Sequence, residues 1–192
     1  MIPPATVYQA LRTSATFPGG PSFDLLCQAV ATSVTSWLPG GVSLVGVTTG
    51  VIGAGTVTGA ITFTGVPAAV LGAMSALPGP NTPALATVIS NGITAGLAGL
   101  PYLGASVGVG TGADVSRVVS VNVPALAAVL RTTHASLCAV QGGTGSRVPA
   151  FYDALASGIV TVILTGTGFG AVAPTGPLGP SSSVGTSTSV PV

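Results

Sequence analysis

The chain contains no lysine and no glutamate, and only seven of its 192 residues carry a formal charge. Charged residues make up 4% of the chain, where a soluble domain ordinarily holds about one-quarter, and the net charge is +1. Between Asp24 and Asp114 there is no Asp, Glu, Lys, Arg or His at all. That span can offer water only hydroxyls, amides, backbone and apolar atoms. A surface so poor in charge has no colloidal barrier to contact, and it suits a chain covered by copies of itself or by other subunits.

Other shortages exclude whole classes of function. The four arginines, Arg12, Arg117, Arg131 and Arg147, are scattered singly. Nucleic-acid binding, which needs clustered basic residues, is therefore not expected. Cys27 and Cys138 make no metal-type spacing and do not report a redox compartment; each falls on or beside an apolar stripe and is expected to be a buried thiol. Met1 to Ala10 lacks a basic region followed by an apolar run, so no secretory signal is expected. Aromatic residues supply only 5% of the chain, which leaves the core to Val, Leu, Ile and Ala.

What remains is apolar and rich in small residues: 47% hydrophobic, mean hydropathy +0.81, 29 glycines and 16 prolines. So much hydrophobicity argues against disorder and for a packed core in one domain or two small ones. Ala84 to Leu100 and Gly158 to Ala173 are the most membrane-like stretches. Both are laced with Gly, Ser, Thr or Asn and lack basic or aromatic flanks, so a glycine-rich membrane-inserted oligomer is the alternative and not the preferred reading.

Apolar residues recur at helical spacing in Phe23, Leu26, Cys27, Val30, Val34, Trp37 and Leu38, and again from Leu85 to Leu100, Leu126 to Leu137 and Phe151 to Ile163. A shorter stripe holds Val70, Leu71, Met74 and Leu77. Gly92 and Gly96 lie on the apolar face of the second stripe and predict close approach of another backbone. Pro67, Pro83, Pro124 and Pro149 each stand where a first helical turn should begin. Leu38-Pro39 and Leu100-Pro101 read as helix stops.

Between the helices the period changes to two. Thr56, Thr58, Ala60, Thr62 and Thr64 alternate with Val57, Gly59, Ile61 and Phe63, as in a strand with one polar and one buried face. Val115 to Val123 alternates too, and its Val115, Val119 and Val121 are expected to be the buried side. Arg117 shares that side, so it would need a partner among Asp24, Asp114 and Asp153 unless a bulge turns it to solvent. Val42 to Thr49 and Leu103 to Val109 are the expected hairpin partners. The fold class is thus α+β: tandem α-β-β-α repeats with short antiparallel strand pairs packed on amphipathic helices. Residues 1–21 form an N-terminal segment, 22–80 and 81–141 two repeats, 142–173 a partial third, and 174–192 a Pro/Ser/Thr-rich extended arm or disordered tail laid on a neighbour.

No segment holds a convincing chemical motif. Gly104-Ala105-Ser106-Val107-Gly108 matches a nucleophile elbow, with Asp114 and His134 following in hydrolase order, but a helix precedes Ser106 and a strand follows it, the reverse of the required frame. A small hydrolase using Ser106 is the remaining enzymatic alternative. The Gly runs lack the Lys of a phosphate-binding loop and read as turns and bulges. His134 and Cys138 share a helix face, yet two ligands make no metal site. Asp24, Asp114 and Asp153 are the only carboxylates. No catalytic, cofactor-binding or metal-ligating residue is assigned, and no cofactor is expected.

Units such as Val66-Pro67-Ala68-Ala69-Val70-Leu71 beside Val123-Pro124-Ala125-Leu126-Ala127-Ala128-Val129-Leu130, in an Ala-Gly-Val-Thr text almost without charge, resemble the small structural proteins of tailed-phage virions. The resemblance covers residues 22–165 and supplies no site pattern. It implies a subunit of a head, tail or baseplate, partnered by copies of itself and by other structural proteins of the virion. Extracellular filaments and surface layers are compositionally similar alternatives.

Overall fold

The computed structural model describes residues 2–15, 21–75, 81–139 and 148–192, with the side chains of residues 134, 138, 139, 148 and 149 outside that description. Both helices and strands are present, in the order α1 (Pro4–Thr13), α2 (Pro21–Gly41), β1 (Val42–Val51), β2 (Ala54–Thr62), α3 (Pro67–Ala73), α4 (Thr82–Gly96), β3 (Leu100–Val107), β4 (Thr111–Val121), α5 (Val123–Ala139), α6 (Val148–Ile163), β5 (Thr167–Pro174) and β6 (Ser182–Pro191). Proline opens α1, α3 and α4 at the first or second position, where its missing N–H is no loss. The predicted Leu-Pro stops are not stops: Pro39 lies inside the last turn of α2 and Pro101 is the second residue of β3.

The strands form one closed antiparallel barrel in the order β1-β4-β5-β2-β3-β6. The two strands of each expected hairpin therefore do not pair with each other: β1 pairs with β4 and β6, and β2 with β3 and β5. Closure satisfies both edges of every strand, which separate hairpins would leave open. The C-terminal stretch is likewise no arm or tail, because β6 fills the place between β1 and β3. β1, β3 and β5 all run away from the helices, and β2, β4 and β6 run back. The connecting loops meet at the far end, where Ile52 N–H donates to the Ser181 carbonyl at 3.0 Å and Gly110 N–H to the Val51 carbonyl at 2.9 Å.

The helices pack side by side in a ring, α2-α1-α4-α3-α6-α5 and back to α2. Gly92 and Gly96 make the predicted close approach, since an added Cβ would lie 2.8 Å from the Leu11 and Val7 Cα atoms of α1. Trp37 ties this layer to the barrel: its indole N–H donates to the Asn122 carbonyl at 3.0 Å, with Gly41 vacating the space under the ring. A single apolar core runs from the helices into the near end of the barrel through Leu44, Ile61, Leu100 and Val118.

A six-stranded barrel has a narrow interior. The strand glycines supply the room, and they are not chiefly turns: Gly46, Gly55, Gly59, Gly104, Gly168 and Gly170 each stand where a Cβ would meet another strand or an inward side chain at under 3 Å. The same narrowness reverses the expected faces of β4. Asp114, Ser116 and Val118 point inward, while Val115, Arg117 and Val119 face out. Bulky valines at the inward positions would overfill the barrel, and Arg117 needs no internal partner because it is on the outer wall.

A polar site in the barrel interior

Beyond the apolar layer the barrel lumen turns polar. Asp114, 1% exposed, accepts three hydroxyl hydrogen bonds. Tyr102 Oη and Ser116 Oγ each donate to one carboxylate oxygen at 2.7 Å, and Ser187 Oγ donates to the other. Among the described residues no cationic side chain pairs with it. Charge-assisted bonds from three hydroxyls take the place of a counter-ion, satisfying a group that would be costly to bury bare. Burial first, and then the bond to Asp114, push the Tyr102 phenol well above its usual range, so the ring remains a donor. Ser106 and Thr48 bond to each other through their hydroxyls at 3.1 Å, and Ser189 Oγ is buried without a partner.

The hydrolase-order residues are thus only partly gathered. Ser106 and Asp114 share the lumen, but Ser106 is joined to Thr48, and the Asp114 oxygens are taken up by Tyr102, Ser116 and Ser187. His134 belongs to α5 in the helical layer, and its side chain, like that of Cys138, lies outside the described residues, as does Arg147. Asp24 and Asp153 stand apart from the lumen, bridging helices to Arg12 and Arg131. Among the described residues no group of three or more His, Cys, Asp or Glu could hold a metal ion.

Two further features were not foreseen. An open cleft of about 650 Å³ lies between α1, α2 and α5, lined in part by Tyr8, Gln28, Thr32, Thr132 and Ser136. Tyr8 Oη donates to Asp24 at 3.1 Å beside it, and this bond pushes the phenol up. The second is the outer wall of the barrel, where Val45, Val47, Leu103, Val107, Val115, Phe169 and Val184 face outward and are exposed. The lumen is thus polar beyond its apolar near end, while the wall exposes Val, Leu and Phe among outward threonines. A signal for this was present in the alternation of Gly with Val, Thr or Phe along the strands, since in a narrow barrel the glycines must be the inward set.

Among the described residues no helix is long and apolar enough to cross a membrane. No family model, curated protein or solved structure matches the chain.

Proposed function

We propose that this chain is a non-enzymatic structural subunit of a multi-copy assembly, of the kind that builds the head, tail or baseplate of a tailed-phage virion. The observation that carries the reading is the outer wall of the barrel. Exposed Val, Leu and Phe side chains stand on five of its six strands, and exposed apolar surface marks sites of association. Arg117 is the one charged side chain facing out from the described strands, and it makes no ion pair among the described residues. The closed barrel leaves no strand edge to pair, so neighbours meet it through side chains. The Asp114 network serves this role as internal scaffolding. The test is the mass of the native full-length chain by light scattering over a wide concentration range. Multi-copy particles are expected, and a monomer at every concentration would overturn the reading.

The finer architecture we infer is three α-β-β-α units, the third of them permuted. Each strand lies opposite the other strand of its own unit, and a step of two places round the barrel carries one unit onto the next. The helix ring obeys the same step, with α2, α4 and α6 alternating with α1, α3 and α5. In that ring α1 holds the place of the helix that would follow β6. Ile2-Pro3-Pro4 opens α1 as Val66-Pro67 opens α3 and Val123-Pro124 opens α5, and Ile2 and Val192 line one crevice.

A further inference from the structure

Charge among the described residues is gathered toward one end of the molecule. Arg12, Asp24, Arg131 and Asp153 belong to the helical layer, where they close two ion pairs. Arg117 faces out from the wall level with Thr167, the first residue of β5 at the helical end. From there to the far end the only charged residue is Asp114, and it is buried in the lumen. The far end exposes four aliphatic side chains instead: Ile52, Val107, Leu178 and Val184. Val107 and Val184, 71% and 69% exposed, are the most exposed large apolar residues described, and they stand on neighbouring strands of this rim. Backbone bonds tie the connections together here: Gly53 N–H donates to the Gly108 carbonyl at 3.4 Å, Thr175 N–H to the Ala54 carbonyl at 3.0 Å and Gly179 N–H to the Ile52 carbonyl at 2.9 Å. Val109, between them, is fully buried.

We propose that this end of the barrel dips into the headgroup and acyl boundary of a lipid bilayer, with Ile52, Val107, Leu178 and Val184 as its anchors. The contact goes beyond the structural-subunit reading, which concerns neighbours along the wall. Three features commit the end to lipid and not to a protein. Specific protein interfaces are laced with directed hydrogen bonds and favour Tyr, Trp and Arg as anchors. Residues 47–56, 105–113 and 173–186, which build this end, are Gly, Ala, Val, Ile, Leu, Pro, Ser and Thr only. Such a surface gives a partner little direction, and a fluid apolar medium asks for none. Secondly, lipid does not tolerate open strand edges, and the closed barrel with its tied connections presents none. Thirdly, a bilayer repels buried ions, and the outward charges are all drawn back toward the helices. Thr175, Ser181, Ser182, Ser183 and Thr186 stand among the anchors, which fixes the depth: their hydroxyls stay at the level of the headgroups. With no basic residue on this end the attraction is apolar alone, indifferent to anionic lipid and to salt.

The experiment floats the full chain with phosphatidylcholine vesicles that enclose a dye. Val107→Asp and Val184→Asp place a charge at the rim, and Phe169→Ser changes the wall nearer the helices. Far-UV circular dichroism and melting establish that each variant is folded; should an Asp variant fail, Val184→Ser takes its place. Wild type and Phe169→Ser should float alike, and each Asp variant should bind about tenfold more weakly or worse. Replacing part of the lipid by phosphatidylserine, or raising the salt, should change nothing, and the dye should stay inside. A wild type that does not float, Asp variants that float as well as it does, binding that requires phosphatidylserine, release of the dye, or loss of flotation in Phe169→Ser each overturns the proposal. So does a fall in the lipid-free mass of the Asp variants in light scattering, which would assign the rim to neighbouring copies. The subunit reading stands or falls separately: a wild-type chain that is monomeric at every concentration without lipid sinks that reading alone.

Discussion

The phenol of Tyr102 donates to the carboxylate of Asp114 at 2.7 Å across the full width of the barrel, from β3 to the strand that lies opposite it, β4. The two residues are twelve apart in sequence, with the far-end loop between them. Their contact pins the two strands of one α-β-β-α segment on opposite sides of the lumen, where no backbone hydrogen bond joins them.

Tyr102→Phe should therefore destabilise the fold while leaving its shape intact. It removes one donor from a buried carboxylate, a loss of about 1 to 3 kcal/mol. Asp114→Ala leaves the hydroxyls of Tyr102, Ser116 and Ser187 without their acceptor and should cost about 3 kcal/mol or more. Urea unfolding measures both. Equal midpoints for Tyr102→Phe and wild type would show that the bond contributes nothing.

The ring of Tyr102 has room only because Gly59, Gly168 and Gly170 lie against it. At Gly168 an added Cβ would meet Tyr102 Cε1 at 2.8 Å and Cζ at 3.1 Å, with no backbone atom among its nearest neighbours. Gly168→Ala should cost about 1 to 3 kcal/mol by overpacking. In a Tyr102→Leu background the same substitution should cost far less, because the atoms it strikes are gone. A double-mutant cycle in which the two effects simply add would show that the ring and the glycine do not constrain each other.

Cys27 is buried on α2, and burial, opposed by Arg12 and aided by Asp24, pushes its thiol up to about 11. At pH 8 only about one thiol in a thousand is then ionised, and the thiolate is the reactive form. In a Cys138→Ser background, labelling by a disulfide reagent at pH 8 should be slow and should quicken only in denaturant. The folded thiol value lies above its ordinary 9.0. Folding therefore favours the neutral form, and the stability it contributes is complete below pH 9 and is lost as pH rises toward 11. Rapid labelling of the native chain at pH 8 would contradict this placement.

How far the sequence reveals the fold depends on whether one face of an element is unambiguous. In β2 the alternation of Thr with Val57 and Ile61 admits one reading, and the strand lies as expected, with Val57 and Ile61 buried. In β4 Val and Ser alternate, and hydrophobicity points Val115 and Val119 inward; only the narrowness of a closed barrel reverses this, and closure is a property of six strands together. The pairing was hidden for the same reason. Loops as short as residues 52–53 and 108–110 suit a hairpin as well as a crossing, so nothing local distinguishes β1 beside β2 from β1 opposite it. The Asp114 site was invisible because its donors come from β3, β4 and β6, which only the barrel brings together. The helices from α2 onward were legible because Gly92, Gly96 and the prolines at helix starts act locally, whereas α1, read only as an N-terminal segment, buries no more than Val7 and Leu11 and so shows too short a stripe.

If α1 is the displaced last helix of a third α-β-β-α unit, the chain should tolerate being cut and rejoined. Val192 N–H donates to the Pro101 carbonyl at 3.0 Å at the helical end of the barrel, and Ile2 lies in the same crevice as Val192. A permutant opened between α1 and α2, with Val192 joined to Ile2 through a short Gly-Ser linker, would restore the order α-β-β-α three times over. Val7 and Leu11, fully buried against α4, would keep their places over Gly92 and Gly96. Trading one short connection for another changes closure entropy little, so the permutant should unfold cooperatively within about 2 kcal/mol of the original chain. Deleting α1 outright should be far worse, since it forfeits about 1.5 to 3 kcal/mol for each large apolar side chain taken out of the core and bares the glycine face of α4. Circular dichroism and urea unfolding of both variants make the test. A permutant no more stable than the deletion would mean that α1 depends on its present connection, and that the third unit is not a unit.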